Sequence, residues 1–167
     1  MKNFRFVFAF ALLVLFSSCG PSAEQLKQIA DFTTTVSSLG DSESAMGAAV
    51  DGMKSKLAEF RADSTLKGTK ADSLLAIADS KIAEYDGLYA KYKTFVTEQK
   101  GKLDGFKKEL PTLEALKTLG TELMAKKDEF TGDVTKIQGD FDSAVAELTK
   151  LKEEMAVKAA EMLPKKK

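Results

Sequence analysis

Apolar residues recur three and four positions apart along nearly the whole chain beyond residue 22, and that spacing most narrows the folds open to it. One register runs through Ile29, Phe32, Val36, Leu39, Met46, Val50, Met53, Leu57 and Phe60, interrupted by Glu43. A second runs through Leu75, Ala78, Ile82, Tyr85, Tyr89, Tyr92, Val96, Leu103, Phe106 and Leu110, with Gln99 as its polar exception. A third takes in Leu113, Leu116, Leu123, Phe130, Val134, Ile137, Phe141, Ala144, Leu148, Leu151, Met155 and Met162, with Gly120, Lys127 and Lys158 out of pattern. Residues so spaced share one face of a helix. No segment alternates with period two, so no sheet is expected. Three such stripes joined by short connections predict an all-α fold: an elongated antiparallel three-helix bundle packed at shallow angles, as in coiled coils.

Punctuation between the stripes places the helices at about 22–62, 69–110 and 111–163. Ser22 and Gln25 have the spacing of a capping box, in which each side chain satisfies a free amide at the helix start. Thr33 to Ser42 is a poor helix former, and Gly40-Asp41 offers a stop and a fresh cap, which would make four helices. The unbroken register favours one continuous helix. Asp63 to Gly68 reads as a turn with Gly68 left-handed, and Thr69 to Asp72 as a second capping box. Pro111 cannot donate to the preceding turn and constrains Leu110, so it ends the second helix and is read as opening the third. Pro164 ends the third.

Ahead of the first helix stand Lys2 and Arg5, an apolar run from Phe6 to Phe16, then Ser17, Ser18 and Cys19, the only cysteine. This is the order of a signal peptide over residues 1–18, and its 11-residue apolar run is too short for a span that needs about 20 residues. Phe16-Ser17-Ser18-Cys19 resembles the lipobox of bacterial lipoprotein precursors, with serine at both small positions and phenylalanine where leucine is usual. The resemblance implies that Cys19 is the site of lipidation, that residues 19–21 form a tether, and that acyl chains fix the protein to a membrane. It also implies the cell envelope, and Gly20 in place of aspartate fits the outer membrane, facing the periplasm. The alternative is an ordinary secretory peptide that leaves a spare thiol.

The chain has no histidine and no tryptophan, and its lone cysteine is assigned to lipid. It therefore lacks the usual ligands for zinc, copper or haem and the usual general base near neutral pH. No cofactor, metal or catalytic residue is expected, which argues against an enzyme. With Lys2 and Arg5 in the leader, 23 of the 25 basic residues remain against 25 acidic ones, a balance that gives no footprint for nucleic acid.

An up-down-up order puts Leu110-Pro111 near the lipid and the terminal lysines far from it. At 1.5 Å per residue, helices of about 40 residues reach about 60 Å and one of about 50 reaches beyond them. The third helix should then overhang past about Lys150 and present Leu151, Met155, Ala159 and Met162, with Lys165, Lys166 and Lys167 beyond, as a candidate partner surface or a seam for a homo-oligomer. The alternative is that it bends back over the first turn. Residues 91–127 hold nine lysines against five acids, which suits either a solvated face or attraction to anionic head groups. In plan alone, an acylated cysteine followed by heptad helix and C-terminal lysine, the chain resembles the murein lipoprotein, which would imply a peptidoglycan partner. The tyrosine row is expected in the core with hydroxyls at its edge. The functional expectation is a membrane-anchored structural or adaptor lipoprotein, a helical spacer that presents a surface to an envelope protein or the cell wall. The alternative is a periplasmic binding or chaperone-like module that holds apolar clients against methionine and aromatic side chains.

Overall fold

A computed structural model describes residues 20–161 in full and the backbone of Met162. Cys19, with the proposed signal peptide, and Lys165 to Lys167 lie outside the described residues, as does the side chain of Met162. Three helices, α1 (Ala23–Ala62), α2 (Ala71–Gly105) and α3 (Leu113–Met162), form an all-α three-helix bundle, with a single 3-10 turn at Ser64–Leu66 and no strand among the described residues.

Helix α1 begins as its capping box dictates. The Ser22 amide donates to Gln25 Oε1 at 2.9 Å, and the Gln25 amide donates to Ser22 Oγ at 3.1 Å. It runs unbroken through Gly40-Asp41, so there are three helices and not four. The weak stretch holds because Phe32, Val36 and Leu39 are buried against the other helices, tertiary packing overriding local propensity. Thr33, Thr34 and Thr35 each donate to the carbonyl four residues back, Ser38 donates to Thr35, and Ser42 donates to Ser38. These hydroxyls thus find partners within the helix without offering the backbone a competing turn.

The connection that follows is fixed by Asp63. Its Oδ1 accepts from the Thr65 amide at 3.0 Å and from the Thr65 hydroxyl at 2.6 Å, and Gly68 takes the left-handed conformation with φ 72°. Helix α2 starts at Ala71, two residues after the expected boundary, and the Thr69–Asp72 capping box does not form. Thr69 Oγ1 accepts from the Ala71 amide at 3.1 Å and donates to the Leu66 carbonyl at 2.6 Å, so the hydroxyl closes the turn.

The far boundary of α2 also differs from the expected Leu110. The helix ends at Gly105, where the Lys107 amide donates to Asp104 and the Lys108 amide to Gly105, tightening the chain to three-residue turns. Leu110 is then held out of the helical region by the proline that follows it. Nor does Pro111 open α3. Thr112 does so, its hydroxyl accepting from the Ala115 amide at 3.2 Å and its carbonyl from the Leu116 amide at 3.0 Å.

The core lies along the bundle axis. Phe32, Val36, Leu39, Met46, Val50, Met53 and Leu57 of α1 are buried, as are Ala78, Ile82, Tyr85, Tyr92 and Val96 of α2. Helix α3 adds Leu116, Leu123, Phe130, Phe141, Ala144, Val145 and Leu148. Each helix in a bundle of three faces two neighbours, so its apolar face must be wider than a two-stranded seam. Adjacent pairs supply that width: Leu88 beside Tyr89, Phe95 beside Val96, and Ala144 beside Val145 all join the core or pack against it. Burying one such side chain contributes roughly 1.5–3 kcal/mol.

Partners across the bundle show its directions. Going up α1 and down α2, Phe32 meets Phe106, Gly47 lies under Tyr89, Lys54 pairs with Asp86 and Arg61 pairs with Asp79. Helices α2 and α3 are likewise antiparallel, with Tyr92 edge-on to Phe130 at 5.0 Å and Lys81 Nζ 3.2 Å from Asp140. Helices α1 and α3 therefore run parallel, Glu24 pairing with Lys117 at one end and Asp63 with Lys152 at the other.

Candidate functional site

Four parts of this rod carry the sequence-derived expectations: the end that leads to Cys19, the opposite end, the side grooves and the tyrosine row.

The first end is built from the start of α1 and the α2–α3 corner. Gln25 joins them. Its Oε1 closes the capping box while its Nε2 donates to the Pro111 carbonyl at 3.2 Å, so one side chain fixes both the helix start and the corner beside it. Lys117 on α3 reaches Glu24 on α1 at 2.8 Å. Leu110-Pro111 thus lies at the same end as the residues that lead to Cys19. Lys107 sits 2.7 Å from Asp104 and holds that carboxylate below its ordinary pKa, with Lys108 adding to the effect. Further along, Lys126 pairs with Glu129 at 2.6 Å and lies 5.7 Å over the Phe130 ring. Of the nine lysines in residues 91–127, three are thus in ion pairs: Lys107, Lys117 and Lys126.

At the opposite end, α1 stops at Ala62 while α3 continues. Asp63 is held by Lys152 at 2.9 Å, and its pKa is lowered to about 2, chiefly by the Thr65 hydroxyl and then by Lys152. That contact marks where α1 ends against α3, and about seven helical residues beyond Met155 project past it, roughly 10 Å at 1.5 Å per residue. Of the candidate partner residues, Leu151 packs against the core and Met155 is half-buried. Residues 156–161 are exposed, and Val157 is 59% so. None of the three sequence registers contained Val157, which sits behind the α3 seam.

Two shallow grooves flank α3. One of about 400 Å³ lies between the end of α1 and α3, lined by Glu59, Phe60, Thr149, Lys152, Glu153 and Ala156. The other, about 300 Å³, lies in mid-bundle where Ser42, Ala45 and Ala49 of α1 face Thr131, Val134 and Thr135 of α3. Small side chains on α1 leave this gap, and Met46, Tyr85, Tyr92 and Phe130 form its floor.

Tyr85 and Tyr92 are buried, and burial raises both phenol pKa values, with Ser42 beside Tyr92 partly offsetting the effect there. Tyr89 is half-buried, its hydroxyl passing over Gly47. The row is core with one edge, as its spacing suggested. Among the described residues no cluster of three acidic or cysteine side chains could hold a metal ion, and no helix is long and apolar enough to cross a membrane. No buried side-chain polar atom there lacks a hydrogen-bond partner. The chain matches no protein-family model, no curated protein and no solved structure.

Proposed function

We propose that the protein is a lipid-anchored helical spacer of the bacterial cell envelope, tethered through Cys19 and presenting the far end of α3 to an envelope protein or to peptidoglycan. Polarity of the rod is the observation that carries this reading. The residues leading to the lipobox enter at one end with the α2–α3 corner, and α3 projects alone at the other, with Val157 exposed. A helix of 50 residues spans about 75 Å, enough to hold a partner well clear of a lipid surface. Packing supports a rigid spacer too, because interhelical ion pairs and ring contacts are distributed over its length. The outer membrane is the proposed location, on the strength of Gly20 after the lipobox.

Metabolic labelling with palmitate, compared with Cys19→Ser, tests the anchor: label on the native chain and none on the variant is expected. Cross-linking from a photoreactive residue at 157 tests the partner end, where a discrete adduct dependent on the anchored chain supports presentation. The mid-bundle groove floored by Met46, Tyr92 and Phe130 favours a second reading, a module that opens to hold apolar clients. A high, cooperative melting transition without binding of a hydrophobic dye supports the spacer, whereas a low-melting helical state that takes up dye supports the client holder.

A further inference from the structure

Building on the anchored reading, we infer that the end of the bundle made by residues 20–29 and 105–113 is a membrane-bedding surface, with Leu26 and Leu110 entering the head-group layer that holds the lipid anchor. The tether is the first reason. Only Gly20 and Pro21 separate Cys19 from the Ser22 cap, and three steps of extended chain cover at most about 11 Å, so an anchored bundle cannot stand off from the lipid. The proline also fixes one of the few free dihedrals in that link.

The second reason is what this end displays. Leu26 is 41% exposed and Leu110 36%, and half-buried Pro21, Pro111 and Leu113 lie on the same segments. The Gln25–Pro111 hydrogen bond couples the two segments, so the exposed leucines that adjoin its two partners in sequence lie at the same end of the bundle. Water-exposed leucines at the end nearest a hydrocarbon phase gain free energy by entering it.

Charge decides the kind of contact. Lys117 is paired with Glu24 and Lys107 with Asp104, and over residues 20–29 and 105–113 three lysines (Lys27, Lys107 and Lys108) stand against two glutamates (Glu24 and Glu109), a net of only +1, well short of the cluster of basic residues that binds anionic lipid. Bedding is apolar; it needs no anionic lipid and is insensitive to salt, because screening acts on charges and not on buried apolar area. Its consequence for the spacer is orientation, since two inserted leucines beside the anchor hold the rod upright where a tether alone would let it fall flat.

The test uses the full acylated chain in phosphatidylcholine vesicles, where acylation consumes Cys19 and an introduced cysteine is the sole thiol. An environment-sensitive fluorophore is placed at Leu26→Cys or Leu110→Cys, at the exposed neighbour Ala23→Cys, which leaves both leucines in place, and at Ile77→Cys and Val157→Cys. The expected result is blue-shifted emission, quenched by lipids carrying a shallow quencher, at 23, 26 and 110, unchanged in high salt, with aqueous emission at 77 and 157. Vesicle-bound protein whose 23, 26 and 110 probes report water would overturn the proposal while leaving the anchor intact, as would protection at 77 and 157, which means a rod lying flat. Protein that carries no acyl chains by mass and does not float with vesicles would instead overturn the anchored reading, and this inference with it.

Discussion

Gly47 gives a sharp test of how α1 and α2 meet. A Cβ at this position would sit 3.1 Å from Tyr89 Oη and 3.4 Å from Cζ, whereas at Gly132 and Gly139 on α3 nothing lies within 4 Å. Glycine inside a helix costs about 1 kcal/mol relative to alanine, so Gly132→Ala and Gly139→Ala should each stabilise the bundle by about that much. Gly47→Ala should lose that gain, because a carbon 3.1 Å from the phenol oxygen forces the half-buried ring aside. Tyr89→Phe removes the oxygen and leaves ordinary contacts, so in that background Gly47→Ala should recover the full helical gain. The double-mutant cycle is then expected to show a coupling of about 1 kcal/mol. Urea unfolding followed by far-ultraviolet circular dichroism reads each variant, with an unchanged denaturant slope confirming that stability alone has moved. If Gly47→Ala stabilises as much as Gly132→Ala, or if Tyr89→Phe leaves its effect unchanged, the close approach of the two helices at this level is refuted.

Further expectations concern the caps, the core and pH. Gln25→Glu keeps an acceptor for the Ser22 amide but cannot donate to Pro111, so it should cost about 0.5–1 kcal/mol, less than Gln25→Ala, which loses both bonds; chemical denaturation ranks them. Leu148→Ala, at a site with 0% exposure, should cost about 3 kcal/mol, whereas Val157→Ala should be nearly silent in the same melts. The depressed pKa of Asp63 stabilises the fold above the ordinary carboxylate value of 3.8, and that contribution is lost as pH falls towards about 2. Asp63→Asn should therefore flatten the pH dependence of stability across that interval, measured as urea midpoints in parallel with the native chain.

Much of this architecture was legible in the sequence because heptad spacing specifies helices and faces together. Phe32 through Leu57 fell where the register put them, and continuity through Gly40-Asp41 followed from that register against local propensity. The misses have physical causes. Leu88 and Val145 lie beside the predicted seams, since a single stripe describes contact with one neighbour and each helix here has two. The corner near Pro111 differs because Gly105 and the three-residue turns after it end α2 early, and Thr112, one residue past the proline, is the cap. Gln25 as a bridge to Pro111 left no trace in the pattern, because its partner is a backbone carbonyl brought close only by the fold. At the projecting end, Val157 carries the exposed apolar surface from a position outside the register, while Leu151 is drawn into the core.

Everything proposed for the ends of the rod depends on the start of α1 and the α2–α3 corner sharing one end. Distances between spin labels measure this directly on the Cys19→Ser chain with pairs of introduced cysteines. Labels at 27 and 108 should lie close together, and labels at 27 and 67 about 60 Å apart, the length of α1. A long distance for the first pair, or a short one for the second, would contradict the bundle and the polarity drawn from it.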